Sequence, residues 1–134
     1  MWKKIVLISG ALILSLAVMQ CGAAGGSTDP IEVMKTDTGE VSFAKTVLPI
    51  LNDHCIRCHG EDKKGGLYAM SYEGVMAGGK SGGFVVAGDP DTSRIITSVE
   101  KTKEPFMPPR VFPALSLDRI QAIRLWISEG AKNN

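Results

Sequence analysis

The chain has 134 residues, with 15 basic and 14 acidic side chains, and 44% of its residues are hydrophobic. This length allows one ordinary domain, and the composition excludes a disordered chain. The balanced charge lacks the basic excess of a nucleic-acid-binding protein, so no nucleic-acid partner is predicted.

The first twenty residues predict an export signal. Lys3 and Lys4 precede an apolar run over residues 5–19, and small residues follow it. This run is shorter than the roughly 20 residues that a membrane-spanning helix needs. We therefore interpret residues 1–20 as a secretory signal peptide, with an uncleaved anchor helix as the alternative. Its loss leaves 13 basic residues against 14 acidic ones, a balance that argues against strong electrostatic steering toward a partner.

Cys21 directly follows the signal segment and resembles the lipidated cysteine of bacterial lipoproteins. It is preceded by Gln20, where that motif usually has a small residue. Cleavage by ordinary signal peptidase after Ala23 or Ala24 is the alternative. Both routes predict export to the periplasm. Lipidation of Cys21 would add a membrane anchor, and more than one acyl chain is enough for stable anchoring.

Residues 21–40 are rich in Gly, Ser, Thr and Asp and are predicted to be a flexible tether, with the folded domain over residues 41–134. The first helix of this domain shows one apolar face, and Ser42 is placed to cap it. Pro49 falls inside this pattern and is expected to kink or shorten the helix. The apolar face consists of Phe43, Val47, Ile50 and Leu51.

Three further helices are predicted along the chain. One covers about residues 71–77 and ends at Gly78, and one covers residues 92–99 with Asp91 or Thr92 as its cap. Residues 105–113 contain too many prolines for a helix or a central strand. The last helix starts at Ser116 as its cap and stops at Gly130. Because no segment alternates with period two for long, the predicted fold class is all-α with long irregular connections.

The segment HCIRCHG, residues 54–60, concentrates the candidate chemistry of the chain. A structural zinc site would need a second pair of ligands at a distance, which the sequence lacks. A redox-active pair of cysteines normally follows a strand in a βαβ unit, and no strand is predicted here. A disulfide between Cys55 and Cys58 is the simple structural alternative, but it leaves the adjacent His59 unexplained.

The spacing CxxCH is the attachment signature of a c-type haem. Cys55 and Cys58 would form thioethers with the haem vinyl groups, and His59 would bind the iron through Nε2. Its Nδ1–H would then need an acceptor, for which a backbone carbonyl is expected. The prediction is one covalent haem c per chain. His54 is interpreted as a surface or capping residue outside this chemistry.

An electron-transfer haem needs a second axial ligand, and a methionine thioether is the natural candidate here. Met107 lies in a segment whose prolines stiffen the backbone, which suits a ligand held against a metal. Met76 lies in a predicted helix, where methionine is usually core filler. The residues alone favour Met107 over Met76 and leave both open.

The segments FAKTVLPILNDHCIRCHG, KKGGLYAMSYEGVMAGG, VVAGDPDTSRIITSV, MPP and LSLDRIQAIRLWISEGA resemble the planctomycete-type cytochrome c domain, a variant of the monohaem class I cytochrome c fold. The resemblance covers about residues 42–131. It implies that Met107 is the distal iron ligand and that the first and last helices pack together. Phe43 and Val47 would then meet Ile123, Trp126 and Ile127.

The function expected from these features is an exported monohaem cytochrome c that passes single electrons between redox partner proteins and is not an enzyme. Two alternatives stay open. One is a five-coordinate haem protein that acts as a peroxidase or gas sensor, and the other is a non-haem binding module with a disulfide. The sequence does not choose which cations pair with the haem propionates; the arginine candidates are Arg57, Arg94 and Arg110.

Overall fold

The computed structural model describes residues 32–134, so Cys21 and the predicted signal peptide lie outside the described residues. The described chain forms five α-helices: α1 (Leu48–His54), α2 (Ile56–His59), α3 (Tyr72–Ala77), α4 (Arg94–Val99) and α5 (Leu117–Ser128). A π-helical turn, Phe43–Val47, leads into α1, and a 3-10 turn covers Lys64–Gly66. Residues 32–134 contain isolated bridges but no strand, and this agrees with the predicted all-α class.

The first helix begins where the sequence predicts, behind Ser42. The Ser42 hydroxyl oxygen accepts a hydrogen bond from the Lys45 N–H at 3.1 Å, as an N-cap does. Pro49 lies in the first turn of α1, where its missing N–H costs little. The interruption expected at Pro49 is therefore a change from π to α geometry, and the helix continues to His54. All four residues of the predicted apolar face are buried.

Helix α3 has a side-chain cap at its start, whereas the last helix lacks one. The Ser71 hydroxyl accepts from the Gly74 N–H at 3.1 Å at the start of α3. Ser116 occupies the N-cap position of α5, but its side chain makes no capping hydrogen bond. The backbone start of α5 was therefore predicted correctly, and the side-chain cap was wrong.

Helix α4 begins at Arg94, two residues later than predicted, and neither Asp91 nor Thr92 caps it. Ser93 is the N-cap residue, but its side chain makes no capping bond. Its hydroxyl instead donates to the Asp89 carbonyl oxygen at 2.8 Å. Asp89 accepts from the Thr92 N–H at 3.1 Å. The Thr92 N–H and the Ser93 hydroxyl thus bond within the turn before the helix, while the Asp91 carboxylate pairs with Arg124.

The start of the first helix packs against α5 around an aromatic cluster. The rings of Phe43 and Trp126 have centroids 5.3 Å apart, and Tyr72 meets Phe43 edge-on at 5.3 Å. Trp126 is 1% exposed, and its indole N–H donates to the Lys132 carbonyl at 2.9 Å. The predicted contact between the first and last helices is confirmed, and Trp126 is a core residue.

The last residue of the chain closes the start of the first helix. The Asn134 backbone carbonyl accepts from the Ser42 hydroxyl at 2.9 Å and from the Ala44 N–H at 3.0 Å. The Asn134 side-chain oxygen accepts from the Phe43 N–H at 2.7 Å. These bonds satisfy N–H groups that a helix start leaves unpaired. The sequence pattern gave no sign of this contact.

Part of the predicted tether contacts the helical domain. The Ser42 N–H and the Thr46 hydroxyl both donate to the Met34 carbonyl, at 3.0 Å and 2.9 Å. The Thr36 N–H donates to the Glu40 carbonyl at 2.7 Å in a tight turn. The tether is thus hydrogen-bonded to the domain at Met34, while residues 21–31 lie outside the described part. None of the helices between residues 32 and 134 combines the length and apolar character that crossing a bilayer requires.

Candidate functional site

The two motif cysteines and the histidine after them lie on one short helical segment. Cys55 separates α1 from α2, and its N–H still donates to the Leu51 carbonyl at 2.7 Å. The N–H groups of Cys58 and His59 donate to the Cys55 carbonyl at 3.1 Å and 2.9 Å. Residues three and four apart on a helical turn face the same side. The backbone therefore presents the three residues together.

The His59 ring is oriented by a backbone carbonyl. Its Nδ1 lies 2.8 Å from the Lys64 carbonyl oxygen, so Nδ1 carries the proton that is donated in this bond. The acceptor expected from the sequence is therefore present. This tautomer leaves the lone pair on Nε2, the nitrogen that would bind a metal.

The Lys64 carbonyl is held in place by a glycine-rich turn. Gly65 and Gly66 have φ of 66° and 79°, values in the left-handed region that glycine adopts without strain. The Gly65 carbonyl accepts from the Lys80 N–H at 2.8 Å, which joins this turn to the loop that follows α3. Sequence reasoning assigned no turn here and missed Lys64. The sequence gave no signal for the direction of its carbonyl.

One cavity of about 640 Å³ contains the predicted site residues. Cys55, Cys58 and His59 line one part of it, and Met107 lines another part together with the prolines that follow it. The remaining wall is mainly apolar, which excludes water and suits a large apolar ligand. Sequence reasoning did not assign the members of this wall: Phe84, Ile95, Val99, Val111, Phe112 and Leu115.

Met107 differs from the other described methionines in its surroundings. Met107 is the one methionine among residues 32–134 that lines the cavity. Met76 is partly buried against the hydrophobic core. Met34 and Met70 are 45% and 39% exposed. The backbone N–H of Met107 donates to the Ser98 carbonyl at 2.9 Å, which fixes this point of the proline-rich segment against α4.

Cys55 and Cys58 are not joined by a disulfide in this structure. Burial, together with the neighbouring Cys58, raises the pKa of the Cys55 thiol to about 11. Cysteines that carry out thiol–disulfide exchange need the opposite, a lowered pKa that provides thiolate at neutral pH. Between residues 32 and 134, no three His, Cys, Asp or Glu side chains converge on a point where they could share a metal ion. A structural zinc site needs four ligands.

His54 lies closer to the cavity than the sequence suggested. It is the last residue of α1, is half-buried, and lines the cavity beside Cys55. Its Nε2 atom is buried and has no hydrogen-bond partner among the described residues. Burial lowers the pKa of His54, and Arg119 lowers it further, against the opposing effect of Asp53. That His54 stays outside the chemistry remains a prediction.

The residues around this cavity fit a covalently attached haem. Two thiols on one helical turn can form thioethers, and an oriented imidazole and a thioether on the same cavity are axial ligands found in cytochromes c. Of the three arginine candidates for propionate pairing, Arg57 lines this cavity, whereas Arg94 and Arg110 do not; among the lysines, Lys64 lines it.

A mainly helical domain with this set of side chains around one cavity agrees with what a c-type cytochrome needs. Residues 55–110 match the sequence model of a family described as planctomycete cytochrome C, and this match supports a planctomycete-type cytochrome c domain over that part of the chain. The match includes the CxxCH motif and Met107, while the π-helical turn, α1 and α5 all lie outside it. No curated protein and no solved structure matches the chain significantly.

Proposed function

We propose that this chain is an exported monohaem cytochrome c that carries single electrons. Cys55 and Cys58 attach one haem c, His59 and Met107 coordinate its iron, and the domain is a small variant of the class I cytochrome c fold. The observation that supports this most is that Met107 and the CxxCH turn line the same cavity, although they belong to distant parts of the sequence.

Each residue of the site has a defined task in this proposal. When bound, the haem iron supplies a reversible one-electron couple. The Lys64 carbonyl keeps His59 in the tautomer that leaves Nε2 for the iron, and hydrogen bonding at Nδ1 makes the imidazole a stronger donor. Met107 offers a neutral sulfur, which favours the reduced iron and raises the potential. The apolar wall keeps water away from the iron, so that both ligands stay bound through each cycle.

The electron donor and acceptor are expected to be redox proteins that dock at the open edge of the cavity. Val111 lines this cavity and is 84% exposed, so a partner's surface can approach the cavity there. The proposal places the protein in the periplasm, because cytochrome c domains are typically exported. Lipidation at Cys21 would hold it at the membrane, and the mass of the mature N-terminus tests that step.

The absorption spectrum of the ferric protein, recorded beside that of Met107→Ala, tests this function. We expect the weak far-red band of sulfur bound to iron in the unaltered protein and its loss in Met107→Ala. Met70→Ala is the matched control, because Met70 does not line the cavity and its loss should leave the band in place.

The alternatives predict different results. A five-coordinate peroxidase or gas sensor would lack the far-red band from the start. A band that persists in Met107→Ala would assign the sulfur ligand to another methionine. A disulfide-stapled binding module would show no haem by pyridine haemochrome analysis and no added covalent mass, and either observation would rule out the cytochrome.

A further inference from the structure

Arg57 forms a contact between the two segments that carry the proposed axial ligands. It lies in α2, between the two motif cysteines, and its guanidinium carbon is 5.3 Å from the centroid of the Phe112 ring. Phe112 follows Met107 in the proline-rich segment. Both Arg57 and Phe112 line the cavity. A guanidinium at this distance over an aromatic face is an attractive cation–π contact.

The proline-rich segment has few other attachments. Met107 makes the one hydrogen bond that ties residues 104–114 to the rest of the described chain, through its N–H to the Ser98 carbonyl. The Phe112 N–H bonds locally, to the Pro109 carbonyl at 2.9 Å. Most residues of the segment are exposed, and the next buried side chain is that of Leu115. Few contacts and exposed backbone are the marks of a segment that opens easily.

We infer that Arg57 is a positioning residue: through Phe112 it holds the segment that carries Met107 closed over the cavity. This inference rests on the proposed function. Because Arg57 belongs to the helix that carries His59, the contact ties the His59 side of the site to the Met107 side. Its loss should leave the Met107 backbone anchored at Ser98 while the segment beyond Met107 opens more often, and the thioether then leaves the iron more readily.

The test measures how easily added imidazole replaces Met107 in the haem-loaded ferric protein. Replacement requires the segment to open, so a weaker hold raises the apparent affinity for imidazole. We expect Arg57→Ala and Phe112→Leu each to raise this affinity about two- to fivefold, the range of an exposed cation–π contact. The far-red band should weaken in parallel. Arg57→Lys should lie between, because lysine keeps the charge but lacks the planar group.

Two controls isolate the contact. The double variant Arg57→Ala/Phe112→Leu should match the single variants, because one contact can be lost only once. Lys63→Gln removes another cation–π contact, with the ammonium 4.9 Å from the Tyr68 ring and outside this cavity. It should leave the imidazole affinity unchanged. Phe112 lies outside the attachment motif, so its variant loads haem independently of any effect of Arg57 on attachment.

The outcomes separate this inference from the function on which it rests. If the unaltered protein lacks the far-red band and Met107→Ala binds imidazole equally well, the proposed ligation fails. If Met107→Ala loses the band but the Arg57 and Phe112 variants behave like the unaltered protein, the positioning role is refuted and the ligation stands. Additive effects in the double variant would also refute it, because the two residues would then act independently.

Discussion

Gly79 packs against the turn that holds the Lys64 carbonyl on His59, so Gly79→Ala tests whether that turn controls His59. A Cβ atom built on Gly79 would lie 2.6 Å from the Gly65 carbonyl oxygen and 3.2 Å from the Leu67 nitrogen. Both are backbone atoms of the turn that presents the Lys64 carbonyl to His59. Gly79 does not need a left-handed φ, so the substitution acts through crowding alone.

The size of the displacement follows from these distances. The Gly65 oxygen must move by about 0.8 Å to reach the 3.4 Å of ordinary contact. If the neighbouring Lys64 carbonyl moves equally, its 2.8 Å bond to His59 Nδ1 lengthens to about 3.6 Å, which is no longer a hydrogen bond. Overpacking of this kind typically costs about 1–3 kcal/mol. The loss also makes the His59 ring a weaker donor, which raises the reduction potential.

Urea unfolding and redox titration of the haem-loaded protein measure both effects. Gly83→Ala is the matched control, because Gly83 lies in the same loop, has no left-handed φ, and nothing stands within 4 Å of its Cβ position. It should be nearly neutral in stability and potential. Equal behaviour of the two variants would refute the reasoning. Destabilisation of Gly79→Ala without a change in potential would show that the turn does not control His59.

Two further predictions concern the first helix. Ser42→Ala should lower the free energy of unfolding by about 1–2 kcal/mol, because Ser42 caps the helix. Ser116→Ala should lower it by about 0.5 kcal/mol or less, because Ser116 makes no capping bond. Equal losses for the two variants in urea unfolding would contradict this reasoning. Burial lowers the pKa of His54 below 6.5, so stability should be full above about pH 6.5 and fall at lower pH. His54→Gln should flatten that decline, and an unchanged pH profile would argue against it.

The sequence was most informative where the candidate chemistry depends on neighbouring residues. Cys58 and His59 follow Cys55 by three and four positions, and one helical turn is enough to bring both near Cys55. The apolar face of the first helix was predicted correctly as well, because the spacing of its apolar residues identifies the buried side. Caps were less predictable. Several Ser, Thr and Asp side chains compete near the start of α4, and all can bond locally in turns instead.

Contacts between segments that are distant in the chain could not be predicted from the sequence pattern. The residues alone left Met76 open beside Met107, and the resemblance favoured Met107. The tertiary structure places Met107 on the cavity and Met76 against the core. The half-buried position of His54 likewise depends on the segments packed against the end of α1, which no local spacing describes.

The sequence by itself determined the candidate attachment motif, because thiol, thiol and imidazole at fixed short spacing form a unit that local helix geometry completes. Only the tertiary structure decided what surrounds that unit. The Lys64 carbonyl on His59, the apolar wall and the contact of Arg57 with Phe112 all depend on where loops return in space. Irregular, proline- and glycine-rich segments carry these contacts. Their paths are set by packing and by individual backbone angles rather than by a repeating pattern of side chains.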